Sequence, residues 1–220
     1  MRRVRAGLGL GLGFAAAMAL GAASLGLGAA AQPPRRLLPV PLISQATSWT
    51  CGPASLMAAL VYFGVYDDAE ARLTAELGAT PEQGIDPASL AAVARKFGVE
   101  AEVRTGLTLD DLAAQLARGS VVILAVQAWA ARPVDAATDW ESDWEDGHYV
   151  VLVGLDDARV YAMDPSVRTG YAYLERDALL RRWHDYDVRA GRREAYQHLG
   201  IVLRGRPALG AYPAAPTRME

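Results

Sequence analysis

The segment SQATSWTCGPASLMAALVYFGV, residues 44–65, decides the fold because it changes from a polar loop into an apolar helix at Cys51, the only cysteine of the chain. After Cys51, apolar residues recur near helical spacing: Leu56, Met57, Leu60, Val61 and Phe63. Pro53 suits the first turn, where its missing N–H removes no helical hydrogen bond, and Gly64 is a typical stop signal. Cys51 is therefore predicted to lie at the N-terminus of a helix.

The rest of the chain predicts more helices and then strands. Further helices are predicted over Asp68–Glu76, from the Asp86 cap to Gly98, over Thr108–Gly119 and over residues 176–187. Strands are predicted at residues 99–104, 120–129, 148–154, 159–165 and 198–205, the second of them buried on both faces. We therefore expect an α+β fold, with an N-terminal helical part that carries Cys51 and a C-terminal antiparallel sheet.

The N-terminus has the pattern of an export signal, with a basic start, an uncharged Gly-, Ala- and Leu-rich run, and three alanines before Gln32. The alternative is a membrane anchor, because the run of about 26 residues exceeds the roughly 20 that span a bilayer. We expect a signal peptide over 1–31, a leader over 32–39, a folded domain over 40–205 and a C-terminal tail over 206–220. The mature protein is then exported, periplasmic or extracellular, with no stable membrane insertion.

The charge balance excludes one class of partner. The formal net charge is −3, and removal of Arg2, Arg3 and Arg5 with the signal would bring it to −6. No basic stripe remains for a phosphate backbone, so we expect no nucleic-acid partner.

A lone cysteine in an exported protein cannot form an internal disulfide, so Cys51 is either a buried inert thiol or a functional one. A helix N-terminus and a nearby imidazolium both favour the thiolate. Of the three histidines, His184 and His198 have Arg-rich surroundings and are predicted to lie on the surface. His148 opens an apolar strand. Its ring there either acts on the thiol or only forms a hydrogen bond with the backbone.

The predicted hairpin after His148 offers a carboxylate. If its loop has an odd number of residues centred on Asp156, His148 faces Asp164, and directly opposed side chains share a face of the sheet. A carboxylate there would hold the imidazole in one tautomer. A loop with an even number of residues would separate the two side chains, and Asp164 would then belong to a simple turn.

Attack on a carbonyl carbon also creates an oxyanion, which needs hydrogen-bond donors. The backbone N–H of Cys51 is one candidate. The side-chain amide of Gln45, six residues upstream, is a second, although a loop glutamine can simply be solvated.

Residues 132–147, RPVDAATDWESDWEDG, predict a long acidic and aromatic loop that ends beside His148. Loops of this length inside a domain are usually functional or mobile. We expect this loop to wall the site and to favour basic substrates through its carboxylates, with a solvated lid as the alternative. The predicted substrate-binding residues are Trp49, Trp140, Trp144, Asp143 and Glu145.

Two segments, residues 40–64 and 147–166, resemble the Gln-to-Cys-Gly and His-to-Asp-Pro blocks of papain-like cysteine peptidases. The similarity is greatest to the bacteriocin leader-peptidase (double-glycine peptidase) family and its stand-alone exported relatives. Between them, residues 84–103 and 109–126 resemble the connecting helices and the central strand of that family. The resemblance spans residues 40–203 and implies a papain-like fold.

The resemblance also implies roles: Cys51 as nucleophile, His148 as general base and acid, Asp164 as orienting carboxylate and Gln45 as oxyanion donor. Thr50 departs from the pattern, since many members carry Asp there. The chain has no P-loop for the ATP-hydrolysing part of an exporter, so cleavage after a double-glycine leader is not implied.

We therefore expect an exported cysteine peptidase that acts on a peptide or protein substrate. Two alternatives use the same fold: a non-catalytic peptide-binding module, or another thiol acyl-transfer enzyme of the transglutaminase or amidase kind. No His-Glu-x-x-His zinc motif and no EF-hand spacing occurs in the sequence, so we predict no metal and no cofactor.

Overall fold

The computed structural model describes residues 37–129, 139–189, 191–208 and 217–218. The predicted signal peptide, residues 32–36 of the predicted leader, residues 132–138 of the predicted acidic loop and most of the predicted tail lie outside this part of the chain. None of the helices within it combines the length and the apolar character that a bilayer-spanning segment needs.

The described part of the chain contains five α-helices: α1 Cys51–Tyr62, α2 Glu70–Leu77, α3 Pro87–Lys96, α4 Leu109–Ala117 and α5 Arg176–Arg182. The first four agree with the predicted helices, and Cys51 is the first residue of α1. Two predicted caps are confirmed. Asp86 accepts two hydrogen bonds from the first turn of α3, and Thr108 forms a reciprocal capping box with Asp111.

The strands are β1 Glu100–Arg104, β2 Val121–Gln127, β3 Gly147–Leu155, β4 Arg159–Met163, β5 Ala172–Glu175, β6 His184–Arg189, β7 Arg192–Gln197, β8 Gly200–Arg204 and β9 Thr217–Arg218. Seven described strands form one sheet in the order β1-β8-β2-β3-β4-β5-β9, and β6 and β7 form a separate hairpin. Every pair in the large sheet is antiparallel except β5 and β9. The predicted α+β fold class is therefore confirmed.

Helices cover both faces of the large sheet. In β2, odd-numbered residues such as Ile123 pack in one apolar cluster with α1, α2 and α3, and even-numbered residues such as Leu124 pack in a second cluster with α4 and α5. This two-sided burial explains why the sequence of β2 is apolar throughout, as a buried central strand requires.

The C-terminal third differs from its predicted elements. The helix predicted over residues 176–187 ends at Arg182, because residues 184–189 pair with β7 in an antiparallel hairpin. The short strand β5 was not predicted, and it is stabilised by pairing with β4. His184 is buried and not on the surface, and its ring bonds to the carbonyl of Asp143 at 2.6 Å. Tertiary pairing thus overrides the local pattern at these positions.

Candidate active site

Cys51 opens α1 and presents its thiol at a helix N-terminus that has no side-chain cap. The hydroxyl of the N-cap residue Thr50 bonds to the carbonyl of Thr47 in the preceding loop and not to the first turn of the helix. The N–H groups of a first turn have no partner within their helix. They are therefore available here to the sulfur, a free and partly exposed thiol.

His148 and Asp164 form a buried pair, with 2.8 Å between His148 Nε2 and Asp164 Oδ1. The same carboxylate oxygen accepts the N–H and the hydroxyl of Ser166, each at 2.8 Å. His148 Nδ1 makes no hydrogen bond of good geometry within the described part of the chain. Cys51 lies close enough that the thiol and the imidazole shift the pKa of each other. The ring thus has Asp164 on one nitrogen and the other nitrogen left for the thiol.

The β3–β4 hairpin that carries this pair has an irregular register. Leu155 pairs with Val160, so four residues lie between these two partners, an even number and not the predicted odd one. A β-bulge at Val153 then shifts the register by one residue, and beyond it Val151 pairs with Met163. The bulge reverses the effect of the even loop on which side chains share a face.

The predicted direct pairing of His148 with Asp164 is therefore wrong, although the two side chains do meet. The register beyond the bulge, extended past the end of β4, would place His148 opposite Ser166. Asp164 lies two residues earlier, on the same face as Ser166, and diagonal neighbours remain within reach of long side chains. The contact between ring and carboxylate is diagonal.

The ionisation of the three groups favours a thiolate–imidazolium pair. Burial raises the pKa of the Cys51 thiol, but contact with the His148 ring, its positive charge and the N–H groups of Tyr149 and Gly52 together bring it below its ordinary value. Burial lowers the pKa of His148, whereas the charge and hydrogen bond of Asp164, helped by Cys51, raise it to about 10. Burial raises the pKa of Asp164, but the charge and hydrogen bond of His148 bring it below its usual range.

Trp129 covers the imidazole. Its ring lies against that of His148, with 4.3 Å between centroids and an interplanar angle of 57°. Trp129 lies two residues after the end of β2 and has a φ of 57°, in the left-handed region that bulky residues seldom adopt. Such a conformation persists only where surrounding contacts hold it. The contact with the His148 ring is one of these.

Gln45 lies in the loop that leads into α1. Its backbone N–H bonds to the carbonyl of Pro165 at 3.0 Å, which ties this loop to the turn after Asp164. Its side-chain amide donates one hydrogen bond, to the carbonyl of Thr47 at 2.9 Å, and a primary amide carries a second hydrogen. The role of Gln45 as an oxyanion donor stays a prediction.

A cleft of about 410 Å³ opens beside Cys51. Residues 81–87, which lead into α3, and the β6–β7 hairpin both line it. Three of the five predicted substrate-binding residues line it: Trp49, Trp144 and Glu145. A substrate placed against Cys51 in this cleft would therefore lie near both segments.

The other two predicted substrate-binding residues do not line this cleft. Trp140 is buried, with the Arg182 guanidinium carbon 3.5 Å from the centroid of its ring. The Asp143 carboxylate accepts the N–H of Glu145, and the backbone carbonyl of Asp143 accepts a hydrogen bond from the His184 ring. Both residues thus make contacts outside the lining of this cleft, and their role in substrate binding stays a prediction.

Comparison with known proteins agrees with this geometry. The model of the Peptidase_C39 like family matches residues 37–189. The chain belongs to the Peptidase_C39 like family. It is therefore a cysteine peptidase, a hydrolase, as the resemblance in its sequence implied.

Solved structures show the same C39-like fold. A protein described as a C39-like peptidase from Bacillus anthracis has a TM-score of 0.56 at 22% identity, covering 78% of this chain and 98% of that chain. A double glycine motif protease from an AMS/PCAT transporter, in complex with the leader peptide, has a TM-score of 0.51 at 17% identity, covering 79% of this chain and 96% of that chain. No curated protein matches the sequence.

Three residues of this C39-like site were not singled out from the sequence: Trp129, Ser166 and Asp185. Trp129 ends the apolar run of β2, where an aromatic residue resembles ordinary core. Ser166 follows Asp-Pro, and a serine two residues after an aspartate is a recognisable Asx-type turn signal. Asp185 lies inside a predicted helix, and no local pattern indicated that it belongs to the site.

Proposed function

We propose that this C39-like peptidase is an exported enzyme that hydrolyses peptide bonds with Cys51 as nucleophile, His148 as general acid and base, and Asp164 as orienting carboxylate. The observation that carries the proposal is the buried contact of 2.8 Å between His148 and Asp164, with the second ring nitrogen free for the neighbouring thiol. Nucleophile, base and orienting group are the three parts of a catalytic triad.

Acylation begins with the Cys51 thiolate and the protonated His148. The sulfur attacks the carbonyl carbon of the substrate, a C–S bond forms, and the carbonyl electron pair moves onto the oxygen. The Cys51 N–H and the Gln45 amide stabilise this oxyanion. As the oxyanion collapses, the C–N bond breaks and His148 transfers its proton to the leaving amine.

Deacylation reverses these roles. Neutral His148 takes a proton from water, and the resulting hydroxide attacks the thioester carbon. The C–S bond then breaks, and its electrons return to Cys51 as thiolate beside protonated His148. Asp164 stays ionised throughout, because its function is to hold the ring and stabilise its charged form.

Export is proposed from the first 31 residues, which carry the pattern of a cleaved signal. Expression of the full chain in a Gram-negative host followed by fractionation tests it. We expect periplasmic protein whose N-terminal sequence begins near Gln32. An intact N-terminus in the membrane fraction would favour the anchor, and intact cytoplasmic protein would contradict export.

The peptidase itself is tested with the mature protein and a peptide library. Because Cys51 is the only cysteine, iodoacetamide should add one label and abolish cleavage. Cys51→Ala should lose nearly all activity while keeping its circular dichroism spectrum. Each product pair should gain one water. A new amide bond to an added amine would indicate an acyl-transfer enzyme, and peptide binding without cleavage would indicate a binding module.

A further inference from the structure

The cleft beside Cys51 is acidic and aromatic. Five carboxylate side chains line it, and no Lys or Arg of the described residues does: Glu82, Asp86, Glu145, Asp185 and Asp187. Five aromatic side chains line it as well: Trp49, Trp144, Tyr149, Tyr186 and Tyr196. Because Cys51 lines the same cleft, a substrate attacked by the thiolate also occupies this space.

Asp185 lies against the start of β3, the strand that carries His148. A Cβ placed on Gly147 would lie 2.6 Å from Asp185 Oδ2, so this carboxylate lies directly against the backbone of Gly147. Gly147 is the residue before His148, and Gly147, Asp185 and Cys51 line the same cleft. The absence of a side chain at Gly147 makes this close approach possible.

Asp185 has hydrogen-bond donors but no direct ion pair within the described residues. Its carboxylate accepts the N–H of Tyr186 at 2.8 Å and a hydrogen bond from the Gln127 side chain. Arg193, a nearby cation, instead pairs with Glu145 at 3.5 Å, and its guanidinium carbon lies 3.6 Å from the centroid of the Tyr186 ring. Burial raises the pKa of Asp185 to about 6, although its hydrogen bonds and the charge of Arg193 act in the opposite direction.

Building on the peptidase proposed above, we propose that this cleft is a subsite for a basic side chain of the substrate, with Asp185 as the residue that determines this specificity. A guanidinium or ammonium group bound against Asp185 would form the direct ion pair that this carboxylate lacks among the described residues, and such charge-assisted bonds are the stronger ones. The alkyl stem of the basic side chain would pack against the aromatic walls. The stacking of Arg193 on Tyr186 shows that the same hairpin accommodates a guanidinium.

Matched peptides test this subsite directly. Two Ala-rich hexapeptide series carry a single Arg or a single citrulline, which has nearly the shape of Arg without its charge, at each position in turn. The mature protein should cleave one Arg peptide with kcat/KM about 10- to 100-fold above that of its citrulline counterpart. This ratio should fall as salt rises, because part of the cleft is open to screening ions.

Asp185→Asn keeps the shape and the acceptor for the Tyr186 N–H but removes the charge. We expect it to bring the Arg-to-citrulline ratio close to one. Asp110→Asn removes the same charge from the exposed surface of α4 and should leave the ratio as in the parent. A ratio in the Asp185→Asn protein equal to that of the parent would overturn the proposal, as would equal cleavage of both series by the parent at low salt.

A binding measurement separates this inference from the peptidase itself. In a Cys51→Ala background, peptide binding is followed by intrinsic tryptophan fluorescence, to which Trp49 and Trp144 in the cleft contribute. The Arg peptide should bind more tightly than the citrulline peptide, and Asp185→Asn should remove this difference. If the parent cleaves no peptide but this binding is found, the subsite stands and the peptidase proposal fails. If Arg and citrulline peptides bind equally well, the subsite fails, whatever the activity.

Discussion

His148 and Asp164 meet across a hairpin in which they are not register partners: the distance of 2.8 Å joins diagonal neighbours, made co-facial by the bulge at Val153. The pairing fixes the tautomer of His148, because Asp164 engages Nε2 and leaves Nδ1 for Cys51. The arrangement of the triad therefore depends on the backbone of one hairpin as well as on the residues themselves.

The first prediction concerns Asp164. Asp164→Asn should lower kcat by about 10⁴-fold, because the amide no longer stabilises the imidazolium or selects the productive tautomer. Without the carboxylate charge the pKa of His148 falls from about 10, so the alkaline limb of the pH–rate profile should move to lower pH. Steady-state kinetics across pH checks both effects. Activity like that of the parent would remove Asp164 from the mechanism.

The pH dependence of Cys51 alkylation provides a second prediction. Because the pKa of this thiol lies below its ordinary value of 9.0, the rate with iodoacetamide should reach its plateau at a lower pH than that of free cysteine. In His148→Ala the hydrogen bond and the charge that lower the pKa of Cys51 are lost, while burial still raises this pKa. The plateau should then move to higher pH. Identical profiles for parent and variant would show that the imidazole does not act on the thiol.

A third prediction assigns Trp129 a positioning role, because its ring covers His148. Trp129→Ala should lower kcat by about three- to tenfold, the equivalent of one aromatic contact, and should narrow the pH–rate profile as water reaches the imidazole. Trp129→Phe keeps an aromatic ring and should recover most of the loss. If the alanine variant loses only stability, with unchanged kcat and pH profile, the role of Trp129 is structural.

Gln45 is the subject of a fourth prediction. Loss of one oxyanion donor in Gln45→Ala should lower kcat by about 10²- to 10³-fold. The rate of Cys51 alkylation should stay close to that of the parent, since no oxyanion forms in that reaction. A parallel loss of alkylation would instead indicate that the substitution disturbs the loop tied to Pro165.

A fifth prediction concerns packing behind the nucleophile. A Cβ on Gly52 would overlap Ile85 Cγ2 and lie 3.2 Å from Tyr149 Cδ2. Gly52→Ala should therefore destabilise the protein by about 1–3 kcal/mol through overpacking, measured by urea denaturation. In an Ile85→Ala background the same substitution should cost less, because the closest atom is gone. Additive losses in the double variant would contradict this explanation.

Much of the fold could be predicted because its signals are local. Short stretches of sequence predict the helix caps Asp86 and Thr108 and the burial of β2 on both faces. The elements that were missed depend on distant partners. Residues 184–189 have the composition of a helix end, yet they pair with β7, and β5 is defined by its hydrogen bonds to β4.

The candidate site divides in the same way. Cys51, His148, Asp164 and Gln45 could be named because each lies in a short segment with a distinct pattern. Residues that approach the site from elsewhere in the chain, such as Asp185 against Gly147, leave no such pattern. Trp140 was predicted to line the cleft because it belongs to an acidic loop. In the structure it is buried, and the Arg182 guanidinium lies over its ring.

The bulge at Val153 also limits how the length of the β3–β4 hairpin can vary. Deleting one loop residue alone would turn the carboxylate to the far side of the sheet, away from the imidazole. Deleting one loop residue together with the bulged residue would restore their common side. Insertions and deletions between His148 and Asp164 should therefore involve an even number of residues. In active homologues, a change of one residue in the loop should be accompanied by a second change that restores the common face.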